Sequence, residues 1–135
     1  MKIARAIAMV GLMLGPFAAW AEDFDGTKPL ICATVDTFSC VPGAACEAST
    51  ADELNVPQFF RMNFDKKTIS ATRPDGEVRL SEMQSLELHE GELILQGKQG
   101  GLGWSAAITQ VSGKLSLSAV GDQVAFVIFG ACTPL

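Results

Sequence analysis

Four cysteines, one histidine and a glycine-rich string that ends in tryptophan are the residues of this chain whose types and spacing bear on chemistry. Cys32, Cys40, Cys46 and Cys132 form an even set, which in a small exported chain implies two disulfides. Three pairings are open. Cys40 and Cys46 enclose Val41-Pro42-Gly43-Ala44-Ala45, and Pro42-Gly43 is a turn dipeptide that folds the chain back and brings the two sulfurs together. That leaves Cys32 for Cys132, a bridge that ties the first strand to the last. It closes a loop of about 100 residues, for which chain entropy gives roughly 4 to 5 kcal/mol as an upper figure. Zinc is the rival use of such a set, but there is no C-x-x-C pair and His89 is the only histidine, so no metal site is expected.

Groups suited to catalysis are sparse. The chain has no G-x-S-x-G elbow, no H-E-x-x-H and no phosphate-binding Walker loop, and with every cysteine in a bridge no thiol is left as a nucleophile. His89 sits in His89-Glu90-Gly91-Glu92, at a hairpin tip where a histidine is ordinarily solvated. Glu82, Glu87, Glu90 and Glu92 hold carboxylates that a glycoside hydrolase would need as a pair, but Glu residues on strand surfaces ordinarily serve solubility. No catalytic residue and no cofactor is therefore assigned.

The string Gly97-Lys98-Gln99-Gly100-Gly101-Leu102-Gly103-Trp104 is the most distinctive. Gly101 to Ala106 fits G-x-G-x-x-A only superficially, because it joins two strands and offers no helix N-terminus to a pyrophosphate. The glycines permit a sharp loop that sets Trp104 at the start of the following strand. There the indole either plugs one end of a barrel or, with Gly100, Gly101 and Gly103, meets a ligand or partner.

These residues need a scaffold, and the hydrophobic spacing supplies it. Period two prevails between turn signals, which reads as an antiparallel β domain. Leu30 to Asp36 is a first strand, and Phe60, Met62 and Phe64 alternate with Phe59, Arg61 and Asn63. Lys67 to Arg73 follows, then a turn at Pro74-Asp75-Gly76. Met83 to His89 and Glu92 to Lys98 form a hairpin about Glu90-Gly91, with Leu86, Leu88, Leu93 and Leu95 inward. Trp104, Ala106 and Ile108, then Leu115, Leu117 and Ala119, mark two further strands. The segment from Val124 to Cys132 is apolar on both faces, hence central or covered outside. Thr50-Ala51-Asp52-Glu53 matches a capping box that would start one helical turn before Pro57. The expected fold is all-β, a small antiparallel up-and-down barrel or closed sandwich of seven or eight strands stapled by two disulfides.

The N-terminus bounds where this happens. A basic start at Lys2 and Arg5, an apolar run from Ala6 to Phe17 and the small-x-small site Ala19-Trp20-Ala21 read as a signal peptide over residues 1–21. The run is short and holds Gly11, Gly15 and Pro16, so after cleavage no membrane anchor is expected. One domain over residues 22–135 then works in the periplasm or outside the cell. Of the 10 basic side chains Lys2 and Arg5 leave with the signal, so 8 face 15 acidic ones and the net charge becomes −7. That balance repels nucleic acid and anionic lipid and favours either a basic partner or plain solubility.

Taken together, Leu30-Ile31-Cys32-Ala33, Cys40-x5-Cys46, Phe59-Phe60-Arg61-Met62-Asn63-Phe64, Leu95-Gln96-Gly97, Gly103-Trp104-Ser105 and Phe129-Gly130-Ala131-Cys132-Thr133-Pro134 resemble a group of small exported proteobacterial proteins of unknown function. The resemblance spans nearly the whole exported part and implies export and a disulfide framework. A more distant likeness, of architecture alone, is to the periplasmic C-type lysozyme inhibitors, also small disulfide-bonded β-barrels with an early and a late cysteine. It carries over no inhibitory residue. The expected function is non-catalytic binding, with inhibition of a basic hydrolase as its specific form. The alternatives are a barrel that holds a small apolar ligand near Phe60, Phe64, Trp104, Phe126 and Phe129 and a hydrolase with a carboxylate site.

Overall fold

The computed structural model describes residues 23–135, so the expected signal peptide and its cleavage site lie outside the described residues. Nine strands succeed one another: β1 (Leu30–Cys40), β2 (Glu47–Ser49), β3 (Phe59–Asn63), β4 (Thr68–Thr72), β5 (Val78–His89), β6 (Glu92–Gln99), β7 (Leu102–Thr109), β8 (Lys114–Gly121) and β9 (Val124–Pro134). All neighbours are antiparallel, in the order β2-β1-β3-β4-β5-β6-β7-β8-β9, and β9 pairs back onto β1. Eight strands therefore close a barrel and β2 is an addition. Because β9 occupies one edge of β1 along its length, β2 and β3 share the other, β3 against Leu30 to Ala33 and β2 against Thr37 to Ser39.

Turn chemistry explains the meander. At the β5–β6 hairpin Glu90 and Gly91 both take positive φ, 48° and 84°, the two-residue geometry whose twist matches the strands it joins. The capping-box bonds also form: the Thr50 N–H donates to the Glu53 carboxylate (2.8 Å) and the Glu53 N–H to the Thr50 hydroxyl (3.2 Å). They close a turn and no helix. Asn55 is left-handed, and Pro57 disfavours helical backbone at the residue before it.

Alternate side chains fill the barrel. Leu30, Met62, Leu93, Leu95, Ile108 and Leu115 are buried outright, joined by Phe60, Phe64, Met83 and Ala106. Phe24, ahead of β1, packs against this core, and its ring lies over Gly113. The bridges are Cys32–Cys132 and Cys40–Cys46. Cys32 and Cys132 face each other in the β1–β9 ladder, so this bridge sits on the seam that closes the barrel. Two disulfides require an oxidising environment, as found outside the cytoplasm.

Three elements differ from the sequence expectation. β1 runs on to Cys40, β2 is present, and β5 begins at Val78 rather than Met83. The last difference has a physical cause, because Val78 and Leu80 point outward while Arg79 and Ser81 share the inward face with Met83. Period two is kept and its polarity is reversed.

Candidate protein-docking surface

The expected loop site divides in the structure. Gly100 and Gly101 form the exposed turn between β6 and β7, Gly103 faces outward, and the Arg79 side chain lies beside Gly100. Trp104 is only 8% exposed. Its indole N–H donates to the Ser81 hydroxyl (3.0 Å) and its ring covers Gly97, where no side chain fits. Trp104 is thus a plug of the barrel with its polar atom satisfied, and the glycines stand apart from it on the rim.

The carboxylates do not converge either. Glu82 and Glu87 are exposed on β5, and Glu92 accepts the Thr109 hydroxyl (3.0 Å). His89 is exposed at its hairpin, 3.8 Å from Glu90. Among the described residues no three His, Cys, Asp or Glu side chains come together in a way that would hold a metal ion.

A different surface stands out on the outer wall of β1, β3, β4 and β5. The registers Ile31↔Arg61, Arg61↔Ser70 and Ser70↔Leu80 align one outward row, and Ala33↔Phe59 and Thr72↔Val78 lie in the next. Central β4 contributes Thr68, Ser70 and Thr72 to this face, whereas its neighbours carry Phe59 and Arg61 on one side and Val78 and Leu80 on the other. Short residues between long ones make a trough. It encloses about 770 Å³, and Arg73, Pro74, Asp52 and Gln58 close its end. Val78 is 73% exposed, Leu80 62% and Phe59 60%.

Phe59 also lines a second hollow of about 400 Å³, bounded by Val35, Asp36, Phe38 and Ala48. Its ring is the partition between the two. Beyond lies Phe129, whose ring meets that of Phe38 edge to face at 6.2 Å. Large apolar side chains so placed mark interaction surfaces in monomeric proteins.

A polar latch fixes the upper end of the trough. Arg73 donates from Nε to the Asn55 carbonyl (3.1 Å) and pairs with Glu77 (3.1 Å), which also pairs with Arg79 (3.2 Å). The Asp75 carboxylate accepts the Glu77 N–H (2.9 Å) and the Asn55 side-chain amide (2.6 Å), and these bonds hold its pKa below the usual carboxylate range. The Thr50 N–H and hydroxyl lower that of Glu53 in the same way. The segment between β2 and β3 is thereby tied to the β4–β5 turn.

Phe59 is legible in the sequence as the outward member of the Phe59-Phe60 pair. The reversed polarity of Val78 to Ser81 is a signal that sequence reading missed. No protein-family model matches this chain, and no curated protein and no solved structure matches it either.

Proposed function

We propose that this is a non-catalytic binding protein of an oxidising, extracytoplasmic compartment that docks a basic protein through the outer wall of β1, β3, β4 and β5. The observation that carries the reading is the first half of β5, which turns Val78 and Leu80 to water and Arg79 and Ser81 to the barrel. An arrangement that wastes apolar burial in the free protein is explained by burial against a partner. Charge supports the class of partner. The trough itself is lined by Arg61 and Arg73 as well as Asp52, so the acidic field comes from the segment from residue 29 to residue 60, which has Asp36, Glu47, Asp52 and Glu53 and no Lys, Arg or His and borders both hollows. Such a field steers cationic proteins and fades with salt.

The barrel interior is filled by the chain's own Leu, Ile, Met and Phe side chains, which favours binding on the outside over an enclosed apolar ligand. A hydrolase that this chain inhibits is the form of the reading to assay first. The architectural likeness to lysozyme inhibitors makes a lysozyme the first candidate.

The test is capture of partners from extracytoplasmic extract by the oxidised protein over residues 22–135, with a Phe59→Ser, Val78→Ser, Leu80→Ser triple variant beside it. A basic protein held by the parent and lost by the variant, at unchanged melting temperature, is the expected result. Equal capture by both would remove this wall from the account. Turnover of a substrate that depends on His89 or a β5 glutamate would replace binding with catalysis.

A further inference from the structure

The 400 Å³ hollow lies where β1 changes partner. On its shared edge β1 pairs with β3 up to Ala33 and with β2 from Thr37. Thr34 is met in between by the incoming chain, its N–H donating to the Gln58 carbonyl (2.9 Å) and its hydroxyl to the Pro57 carbonyl (2.8 Å). On the other edge the β1–β9 register shifts between Thr34 and Asp36. A bulge of this kind re-aims side chains. Here it leaves Val35 67% exposed and sets Asp36 opposite Phe129.

Asp36 is the only charged residue that lines this hollow, and Phe38 and Phe59 stand on its walls. None of the ion pairs among the described residues includes Asp36. A partner covering this wall would take the carboxylate out of water. An apolar or acidic side chain entering there would leave it buried and unpaired, which is strongly unfavourable. A cationic side chain neutralises it, and aromatic rings beside the cation add to the attraction.

We propose that this hollow is a socket for one arginine or lysine side chain of the docked basic protein, with Asp36 as its counter-ion and Phe38 and Phe59 against its stem. The socket rests on the docking reading above and specifies the chemistry of its anchor. Arginine is enriched among residues that dominate interface energies, especially where surrounding contacts exclude water.

The probe is a blocked alanine–arginine–alanine tripeptide titrated into the oxidised protein and followed by amide NMR, with the citrulline peptide as the uncharged control. Saturable shifts confined to residues around Val35, Asp36, Phe38, Ala48 and Phe59 are expected with arginine and not with citrulline. Asp36→Asn should weaken binding by about tenfold or more, since a charge-assisted bond is replaced by a neutral one, and should leave the melting temperature unchanged. Equal shifts with citrulline, shifts scattered over the other carboxylates that survive Asp36→Asn, or no saturable shift at all would overturn the socket. The two readings fail separately. If Asp36→Asn retains the captured partner while the triple wall variant loses it, the socket is wrong and docking stands. If the arginine peptide saturates the hollow while a Val78→Ser, Leu80→Ser double variant, which leaves Phe59 in place, still captures the partner, the socket stands and the trough is not the docking wall.

Discussion

The two sides of this barrel obey the same alternation with opposite discipline. Across β6, β7 and β8, Leu93, Leu95, Trp104, Ala106, Ile108 and Leu115 are buried, and the outward face is mostly small or polar, with Gln96, Ser105, Ala107, Ser116 and Ser118 beside Ile94 and the exposed Val120. Across β3, β4 and β5, Phe60 and Met62 are buried, yet Phe59, Val78 and Leu80 face water and Arg79 and Ser81 face in. The first wall takes its stability from its own pattern. The second also packs Phe60, Met62 and Met83, with Ile69 and Ala71, into the common core, and it is held in addition by the Arg73–Glu77–Asp75–Asn55 latch and by closure onto β9 through Cys32–Cys132. A wall relieved of part of its burial duty is free to offer apolar side chains to something else.

One pair of substitutions separates the walls most sharply. Leu95→Asp puts an unpaired carboxylate into a position with no exposure, at a cost of several kcal/mol against the roughly 5 to 15 that hold a domain together. Leu80→Asp, also in an inner strand of the barrel, puts the same group into water. Thermal unfolding followed by circular dichroism should show no cooperative transition for Leu95→Asp and one close to the parent's for Leu80→Asp. If both variants unfold alike, the second wall is as much a folding element as the first.

The seam between the walls comes next. Replacing Cys32 and Cys132 together by Ser should cost about 2 to 5 kcal/mol, since this bridge spans a sequence separation of 100. The Cys40–Cys46 bridge spans only 6, so its double Ser variant should lose clearly less, about 2 kcal/mol at most from loop entropy. Urea denaturation of the two variants measures the order, and a larger loss at Cys40–Cys46 would mean that the β1–β2 hairpin contributes more than its loop length implies.

How much of this was legible follows the same division. In β7 and β8 the inward set could be read directly, because burial and period two agree there. The pairing of cysteines was legible through Pro42-Gly43 and through the expectation that a meander closes first strand on last. The start of β5 was not, because Val78 and Leu80 fall on the face opposite to Met83 and break the expected polarity. Glu47-Ala48-Ser49 carries no strand preference of its own and becomes β2 because the turn and disulfide deliver it to the edge of β1. Trp104 was read with two outcomes, and the Ser81 hydroxyl that receives its indole N–H belongs to the very stretch of β5 that sequence reading left unassigned. The trough could not be read at all from single residues, since it depends on Ser70 and Thr72 lying between longer neighbours brought together only by register.

Two glycines carry the comparison down to a single methyl group. At Gly97 a Cβ would overlap the Trp104 ring and the Glu82 carbonyl, so Gly97→Ala should cost about 1 to 3 kcal/mol through forced displacement in a packed core. At Gly103 nothing lies near enough to meet a Cβ, and Gly103→Ala should stay within about 0.5 kcal/mol of the parent. Denaturant midpoints decide it. Equal values would show that the Trp104 plug can move without cost.

The smallest expected effect belongs to the latch and is a matter of pH. Hydrogen bonds from the Glu77 N–H and the Asn55 amide depress the pKa of Asp75 in the folded state. The unfolded chain therefore binds this proton more readily than the folded one. The latch contributes fully above the ordinary aspartate value of about 4 and is lost as pH falls through the lower folded value. Because the carboxylate is solvated, the loss should be local. On acidification below pH about 4 the Glu77 amide proton and the Asn55 side-chain amide should lose their hydrogen-bonded NMR shifts, while the amides of Leu95 and Ile108 hold theirs. Asp75→Asn should abolish the pH-dependent movement at Glu77, since no carboxylate remains there to titrate. If acid moved the resonances of both walls together, the latch would be no more than a reporter of global unfolding, and the second wall would have no independent means of support.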